Sequence, residues 1–133
     1  DKADQLTGSK NNDTIFGKRG NDSLNGGQGA DLLKGASGND RLYGDNGNDR
    51  IIGGSGSNVL NGGAGRNTFV VGKGDDTIED LNLNNDYIEL SGNYQIVALG
   101  SDSKINFEKN DFSVTVLGIT ADDLTNSDVI YKI

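Results

Sequence analysis

Residues 8–79 read GSKNNDTIF, GKRGNDSLN, GGQGADLLK, GASGNDRLY, GDNGNDRII, GGSGSNVLN, GGAGRNTFV and VGKGDDTIE, eight units of nine residues with no insertion. Position 1 is Gly in seven units, and position 4 is Gly in seven. Position 6 is Asp in six and Asn in two; position 8 is Ile, Leu or Phe in all eight. A fixed period of this length, with carboxylates and apolar residues at constant offsets, marks a repeat architecture whose units bury their apolar faces on one another. Ordinary hairpin turns and disordered chains are also rich in Gly and Asp. Neither keeps a strict nine-residue phase over 72 residues.

Of the 21 glycines, 18 fall at positions 1, 2 or 4. Glycine tolerates positive φ and close backbone approach, so the first six positions read as a tight turn. Asn11 stands in at one position 4 as the next most tolerant residue. Positions 7–9 then read as a short strand that alternates out, in, out. Its inward residues are Ile15, Leu24, Leu33, Leu42, Ile51, Leu60, Phe69 and Ile78. Turn, strand, turn, strand closes one coil of about 18 residues. The predicted fold is all-β: a parallel β-roll over residues 1–79 with the position-8 column between two sheets, and a β-rich cap over residues 80–133.

Composition narrows the ligand. Only 32% of the residues are hydrophobic and the formal net charge is −8. Such a chain sits near the region where apolar burial fails to offset lost conformational entropy. Something other than the core must help to hold it. There is no Cys for a disulfide and no His for a transition metal or general base. What remains is oxygen from Asp, Asn and backbone carbonyls, which suits calcium. The acidic balance argues against nucleic acid as a partner. No apolar run approaches membrane-spanning length, and no signal peptide is visible. Asp4 and Leu6 fall at positions 6 and 8 of a truncated preceding unit, so the expectation is a piece of a larger protein.

Stacking places the position-6 residues in two ladders at a strand spacing of roughly 4.8 Å. One holds Asp13, Asp31, Asp49 and Asn67; the other holds Asp4, Asp22, Asp40, Asn58 and Asp76. Carboxylates so close repel by roughly several tenths to a few kcal/mol per pair. A divalent cation between successive turns converts that cost to attraction, with turn carbonyls completing the oxygen shell.

These units resemble the GGxGxDxUx nonapeptide of RTX (repeats-in-toxin) proteins, over about residues 4–91. The resemblance implies a right-handed, calcium-loaded parallel β-roll carrying several ions. Each ion would lie between a turn and the turn two units on, held by the position-6 side chains of both and by carbonyls near positions 1–4. Carried over, the first choices are Asp13 with Asp31, Asp22 with Asp40, and Asp31 with Asp49. Sites using Asn58 or Asn67 lose a charge but keep an oxygen, and Asp76 ends its ladder. Asp4 with Asp22 depends on the truncated turn. The turn backbones are those of Gly8, Gly17, Gly26, Gly35, Gly44 and Gly53 at position 1, and of Gly20, Gly29, Gly38, Gly47, Gly56 and Gly65 at position 4.

After Glu79 the phase breaks. The segment DLNLNNDYIELS, residues 80–91, with Asp76 and Ile78 before it, resembles the closing segment of serralysin-type proteases and alginate epimerase R-modules, roughly DxIxDFxxGxDxIDLS. Asp76, Ile78, Asp80, Asp86, Ile88, Leu90 and Ser91 match; Leu81, Asn84 and Glu89 depart. Asp80 and Asp86 read either as one more calcium site or as plain loop acids. Residues 94–99, 103–108 and 112–117 read as strands, with a turn at 109–111. Thr120 reads as an N-cap with acidic Asp123 at N3. Phe16, Leu32, Ile52 and Val70 point out from one sheet, so the cap or an upstream domain is expected to cover that face. Asp128-Val-Ile-Tyr131, near the C-terminus, reads equally as a type I secretion signal of this family or as a last strand.

The resemblance implies a bacterial, extracellular module that folds on calcium and serves type I secretion of a larger protein. Its partners would be calcium, an upstream domain and the secretion machinery, with no membrane span, and the module is expected to be a monomer. The alternative is a polysaccharide-binding module of the alginate-epimerase R type, using Lys18, Arg19, Lys34, Arg41 and Arg50. Solvated charges explain those residues as well, and Arg41 and Arg50 fall on opposite sheets. Catalysis would need a carboxylate pair or a Ser–Lys arrangement, and the repeat commits the Asp residues to the ladders.

Overall fold

The computed structural model describes residues 2–90, 94–99, 102–107, 113–125 and 130–132. Ten strands run along the repeats: β1 (Gln5–Thr7), β2 (Thr14–Arg19), β3 (Ser23–Gln28), β4 (Leu32–Ser37), β5 (Arg41–Asn46), β6 (Arg50–Ser55), β7 (Val59–Asn61), β8 (Thr68–Val70), β9 (Asp76–Ile78) and β10 (Tyr87–Leu90). Alternation along the coil sends odd strands to one parallel sheet and even strands to the other. In the odd sheet, Leu6, Leu24, Leu42, Leu60 and Ile78 pair in register. In the even sheet, Ile15, Leu33, Ile51, Phe69 and Ile88 do the same.

The position-8 side chains from Leu24 to Ile78 are fully buried between the sheets, as their period requires. Leu6 and Ile15 in the first coil are only partly buried. The strands are longer than the three residues expected from the alternation. β2 to β6 each run six residues, into the next turn. Positions 2 and 3 also pair with the neighbouring coil, as Lys18 with Ala36 and Arg19 with Ser37, while the position-1 glycine drops out of the ladder. Each turn is thereby stitched to the turns above and below it.

The cap comprises β11 (Tyr94–Leu99), β12 (Asp102–Phe107), β13 (Ser113–Val116), helix α1 (Ala121–Thr125) and β14 (Ile130–Lys132). β13 joins β9 in parallel, and β12 and β11 follow as an antiparallel meander. β14 adds a parallel strand beside β10. The cap therefore continues both sheets edge to edge and occupies the pairing groups of the last coil, which solenoids must protect. Ile105, Val114, Val116 and Leu124 extend the buried column. Thr120 caps α1 as its sequence predicts: Asp123 N donates to Thr120 Oγ1 at 3.1 Å, and that hydroxyl donates to Asp123 Oδ2 at 2.6 Å.

The expectation that the cap covers the outer face of the even sheet is not met. The cap meets the roll at its sheet edges, and Phe16 is left 48% exposed. Leu32, Ile52 and Val70 are half-buried, no better covered than Tyr43 on the opposite sheet. On the even sheet's outer side, Arg50 makes a bidentate pair with Glu89 of β10, both bonds at 2.7 Å. The predicted turn at 109–111 and residues 128 and 129 of the candidate secretion signal lie outside the described residues; Tyr131 is in β14.

Candidate metal centre

The turn backbone explains why two glycine positions are needed for different reasons. Position 4 is left-handed: Gly38, for example, has φ +131°. Position 1 is not left-handed but has no room. A side chain on Gly17 would begin 2.5 Å from Asp22 Oδ2 and 2.9 Å from the Gly35 carbonyl oxygen. Asn11 does not take the left-handed conformation its place in the repeat suggested. The non-glycine residues with positive φ are instead Lys18, Ala36 and Asp45, all at position 2.

The position-6 groups form two ladders as expected, and hydrogen bonds order them. From Asp4 to Asn58, the backbone N–H at position 6 donates to the Oδ1 of the position-6 side chain one coil on. Asp4 N donates to Asp22, Asp13 N to Asp31, Asp22 N to Asp40 and Asp31 N to Asp49, at 2.7–2.9 Å. The same bond reaches Asn58 from Asp40, Asn67 from Asp49, Asp76 from Asn58, and Asp86 from Asn67. A second ladder at position 5 runs the other way. Asn12, Asn21, Asn39 and Asn48 accept through Oδ1 from the position-5 N–H of the following coil, at 2.8–2.9 Å. Sequence reasoning missed these four. Their signal was present, because position 5 is Asn in half of the units.

The second carboxylate oxygen decides the chemistry. Asp22, Asp31, Asp40 and Asp49 are at most 3% exposed. Among the described residues, their Oδ2 atoms are the buried side-chain polar atoms without a hydrogen-bond partner. Leaving an anionic oxygen so placed is costly unless something pairs with it. Each faces the space beside a position-1 glycine, shared with the carbonyl oxygen of the position-1 glycine one coil on. Gly17 thus faces Asp22 Oδ2 and Gly35 O together, Gly26 faces Asp31 and Gly44 O, Gly35 faces Asp40 and Gly53 O, and Gly44 faces Asp49 and Gly62 O. A carboxylate and a carbonyl converging on one small, water-poor space fit a hard divalent cation. No three Asp or Glu residues gather among the described residues, so backbone oxygens would supply most of the shell.

The other candidates differ in their hydrogen bonds, although Asp13 Oδ2 and Gly26 O share the space beside Gly8 in the same way. Asp13 Oδ2 accepts from Ser9 N at 2.6 Å and from Ser9 Oγ at 2.8 Å. Asp76 Oδ2 accepts from Gly72 N at 3.2 Å, and Asp86 Oδ2 from Asn82 N at 2.9 Å. Asp80 accepts from Gly62 N and Gly63 N at 2.8 and 2.6 Å, tying down the seventh turn. Asp4 is exposed.

Burial pushes the Asp49 carboxyl up to about 6, and Asp31 and Asp45 add repulsion, while the N–H of Asp31 opposes the rise. Asp40, Asp76 and Asp86 are raised for the same first reason. The sign follows from which state holds the proton. A carboxyl raised in the cation-free fold stabilises it fully below its unfolded value near 3.8, and that contribution is lost as pH rises through about 6. A cation needs the deprotonated form, so protons compete with it in the same window. The half-saturating calcium concentration is therefore expected to rise by about tenfold or more between pH 7 and pH 5. Titrations by calorimetry at the two pH values check this; an unchanged midpoint would contradict it.

The model of the RTX calcium-binding nonapeptide repeat matches residues 7–42 and 43–78, more than half of the chain. The chain belongs to this RTX family. Calcium is accordingly the cation that the converging oxygens of the RTX roll fit. No curated protein sequence matches this RTX chain. Solved structures share its fold. The solution structure of the AlgE6R2 subunit of the Azotobacter vinelandii mannuronan C5-epimerase aligns over 96% of this chain and 91% of its own, with TM-score 0.56 and 22% identity. The AlgE6R3 subunit of that enzyme aligns over 97% and 78%, with TM-score 0.53 and 22% identity. The extracellular lipase LipA of Serratia marcescens aligns over 95% of this chain but 39% of its own, with TM-score 0.50 and 18% identity. At these identities the likeness is one of fold. Among the described residues, no helix is long and apolar enough to cross a membrane.

Proposed function

We propose that this RTX module is a non-catalytic calcium-dependent folding unit of a secreted bacterial protein, kept unfolded inside the cell and folded by calcium outside it. The observation that carries the reading is the set of four buried, unpartnered carboxylate oxygens at Asp22, Asp31, Asp40 and Asp49. Without a cation, their mutual repulsion and desolvation oppose stacking in a chain whose core is thin. When bound, calcium supplies the positive charge that reverses both. Binding free energy is then folding free energy. Extracellular calcium modules bind at about 0.1–1 mM, above cytosolic and below extracellular levels. An unfolded, cysteine-free chain suits export through a narrow type I channel.

Circular dichroism during a calcium titration tests this. The expected result is a coil-to-β transition in a range of about 0.1–1 mM, reversed by chelator and not reproduced by magnesium. A chain already folded in chelator would sink the coupled-folding mechanism.

A second reading, polysaccharide binding, draws on the fold shared with subunits of a mannuronan C5-epimerase. Against it, Arg50 is committed to Glu89, and Arg41 lies on the opposite sheet from Lys34 and Arg50. Calorimetric titration with an alginate oligomer in saturating calcium separates the two, since flat heat leaves only the folding role.

A further inference from the structure

The repeats look equivalent in sequence register, but their turns are not equivalent in hydrogen bonding. At every position 6 from residue 22 onward, Oδ1 is already taken by the N–H of the preceding coil. The chemistry of the remaining atom therefore decides what the turn can hold. In Asp22, Asp31, Asp40 and Asp49 that atom is an unpartnered oxygen. In Asn58 and Asn67 it is necessarily the NH2 group, because the oxygen is taken by Asp40 N at 2.9 Å and Asp49 N at 3.0 Å. Asn58 Nδ2 donates to Asp76 Oδ1 at 2.9 Å and to the Gly56 carbonyl at 3.4 Å; Asn67 Nδ2 donates to the Gly63 carbonyl at 3.4 Å. The amide thus points a donor into the space where the acidic turns point an acceptor. Beside Gly53 and Gly62 the nearest atoms are these amide nitrogens, where the acidic turns have a carboxylate oxygen. At the other end, Asp13 Oδ2 is closed by Ser9, which supplies a hydroxyl donor that no other position 2 carries.

We propose that the roll loads calcium in one contiguous block of four turns, those ending at Asp22, Asp31, Asp40 and Asp49, and that the flanking turns are closed by their own hydrogen bonds. On the N-terminal side Ser9 does the closing. On the C-terminal side the amides of Asn58 and Asn67 replace the cation, so that the coils next to the cap stack without metal. This inference rests on the calcium-binding reading above and says where that binding begins and stops. Asparagine at position 6 is then not a weaker ligand but a switch from metal-held to amide-held stacking, because its one oxygen is consumed by the backbone ladder.

The test is an ion count on the full chain in saturating calcium, by native mass spectrometry alongside equilibrium dialysis. Four bound ions are expected for the unaltered chain. Asp31→Asn converts an open turn into an amide-closed one and is expected to bind three. Asn58→Asp and Asn67→Asp are each expected to bind five, and the double variant six. An unaltered chain binding five or more ions, or fewer than four but at least one, would overturn the proposal without touching the calcium reading. Asparagine-to-aspartate variants that still bind four would overturn the role given to the amides. No bound calcium at all would instead defeat the calcium reading itself. Should a variant fail to fold, the count on the unaltered chain still decides.

Discussion

Leu42→Ala is expected to cost about 2–5 kcal/mol, the range for truncating a fully buried leucine that its surroundings cannot close over. Leu42 is 0% exposed and sits in register between Leu24 and Leu60. Its coil touches only the coils on either side, so no third layer can move in to fill the gap. Small domains hold only about 5–15 kcal/mol in total, so the loss takes up a large share of the stability of the calcium-loaded roll. Urea denaturation in saturating calcium measures it, with the exposed Lys34→Ala as the control expected to stay within about 0.5 kcal/mol. A loss below about 1 kcal/mol would show that the column is not close-packed, because the larger truncation costs arise only where neighbours are packed tightly enough to leave a cavity.

Gly38→Ala is the second large effect, and it acts through the backbone. At φ +131° an alanine carries about 1–3 kcal/mol of strain. Its methyl would also begin against the Gly20 carbonyl of the preceding coil, 2.6 Å from the carbonyl carbon. That carbonyl belongs to a stacked turn, so relief means moving the coil, at about 1–3 kcal/mol more by the usual cost of overpacking. Because the turn of Gly38 contains Asp40 and lies one coil from Asp22, the calcium midpoint is expected to rise by about tenfold or more, together with the loss of stability. Circular dichroism titration reads the midpoint, and Ser37→Ala in the same turn is the comparison. A Gly38→Ala chain with an unchanged midpoint would mean that the coils can separate locally at no cost to the site.

Much of this is legible in the sequence. The nine-residue phase carried the parity of the sheets, the buried column from Leu24 to Ile78 and the two ladders of position-6 groups. The strands of the cap were legible from their alternation, and the N-cap at Thr120 from its spacing to Asp123. Three features were not. The Asn12, Asn21, Asn39 and Asn48 ladder shows in the sequence only as a recurrent Asn at position 5, which no apolar or charge pattern reveals as a hydrogen-bond ladder. The outward Phe16, Leu32, Ile52 and Val70 point to cover by the cap or an upstream domain, and the cap lies at the sheet edges instead; an apolar outer face says that cover is favourable, not what supplies it. The unequal turns were hidden because Asp and Asn occupy the same register.

The sequence by itself determined the period, and the period determined the roll, since only a stacked coil repeats one environment every 18 residues. It also narrowed the ligand set to oxygen, which suits a hard cation, because the chain has no His or Cys. Only the tertiary structure decided which oxygens remain free. A position-6 side chain has two polar atoms, and the backbone of the neighbouring coil claims one of them. Whether the other is an acceptor or a donor then separates turns that can take calcium from turns that hold themselves together.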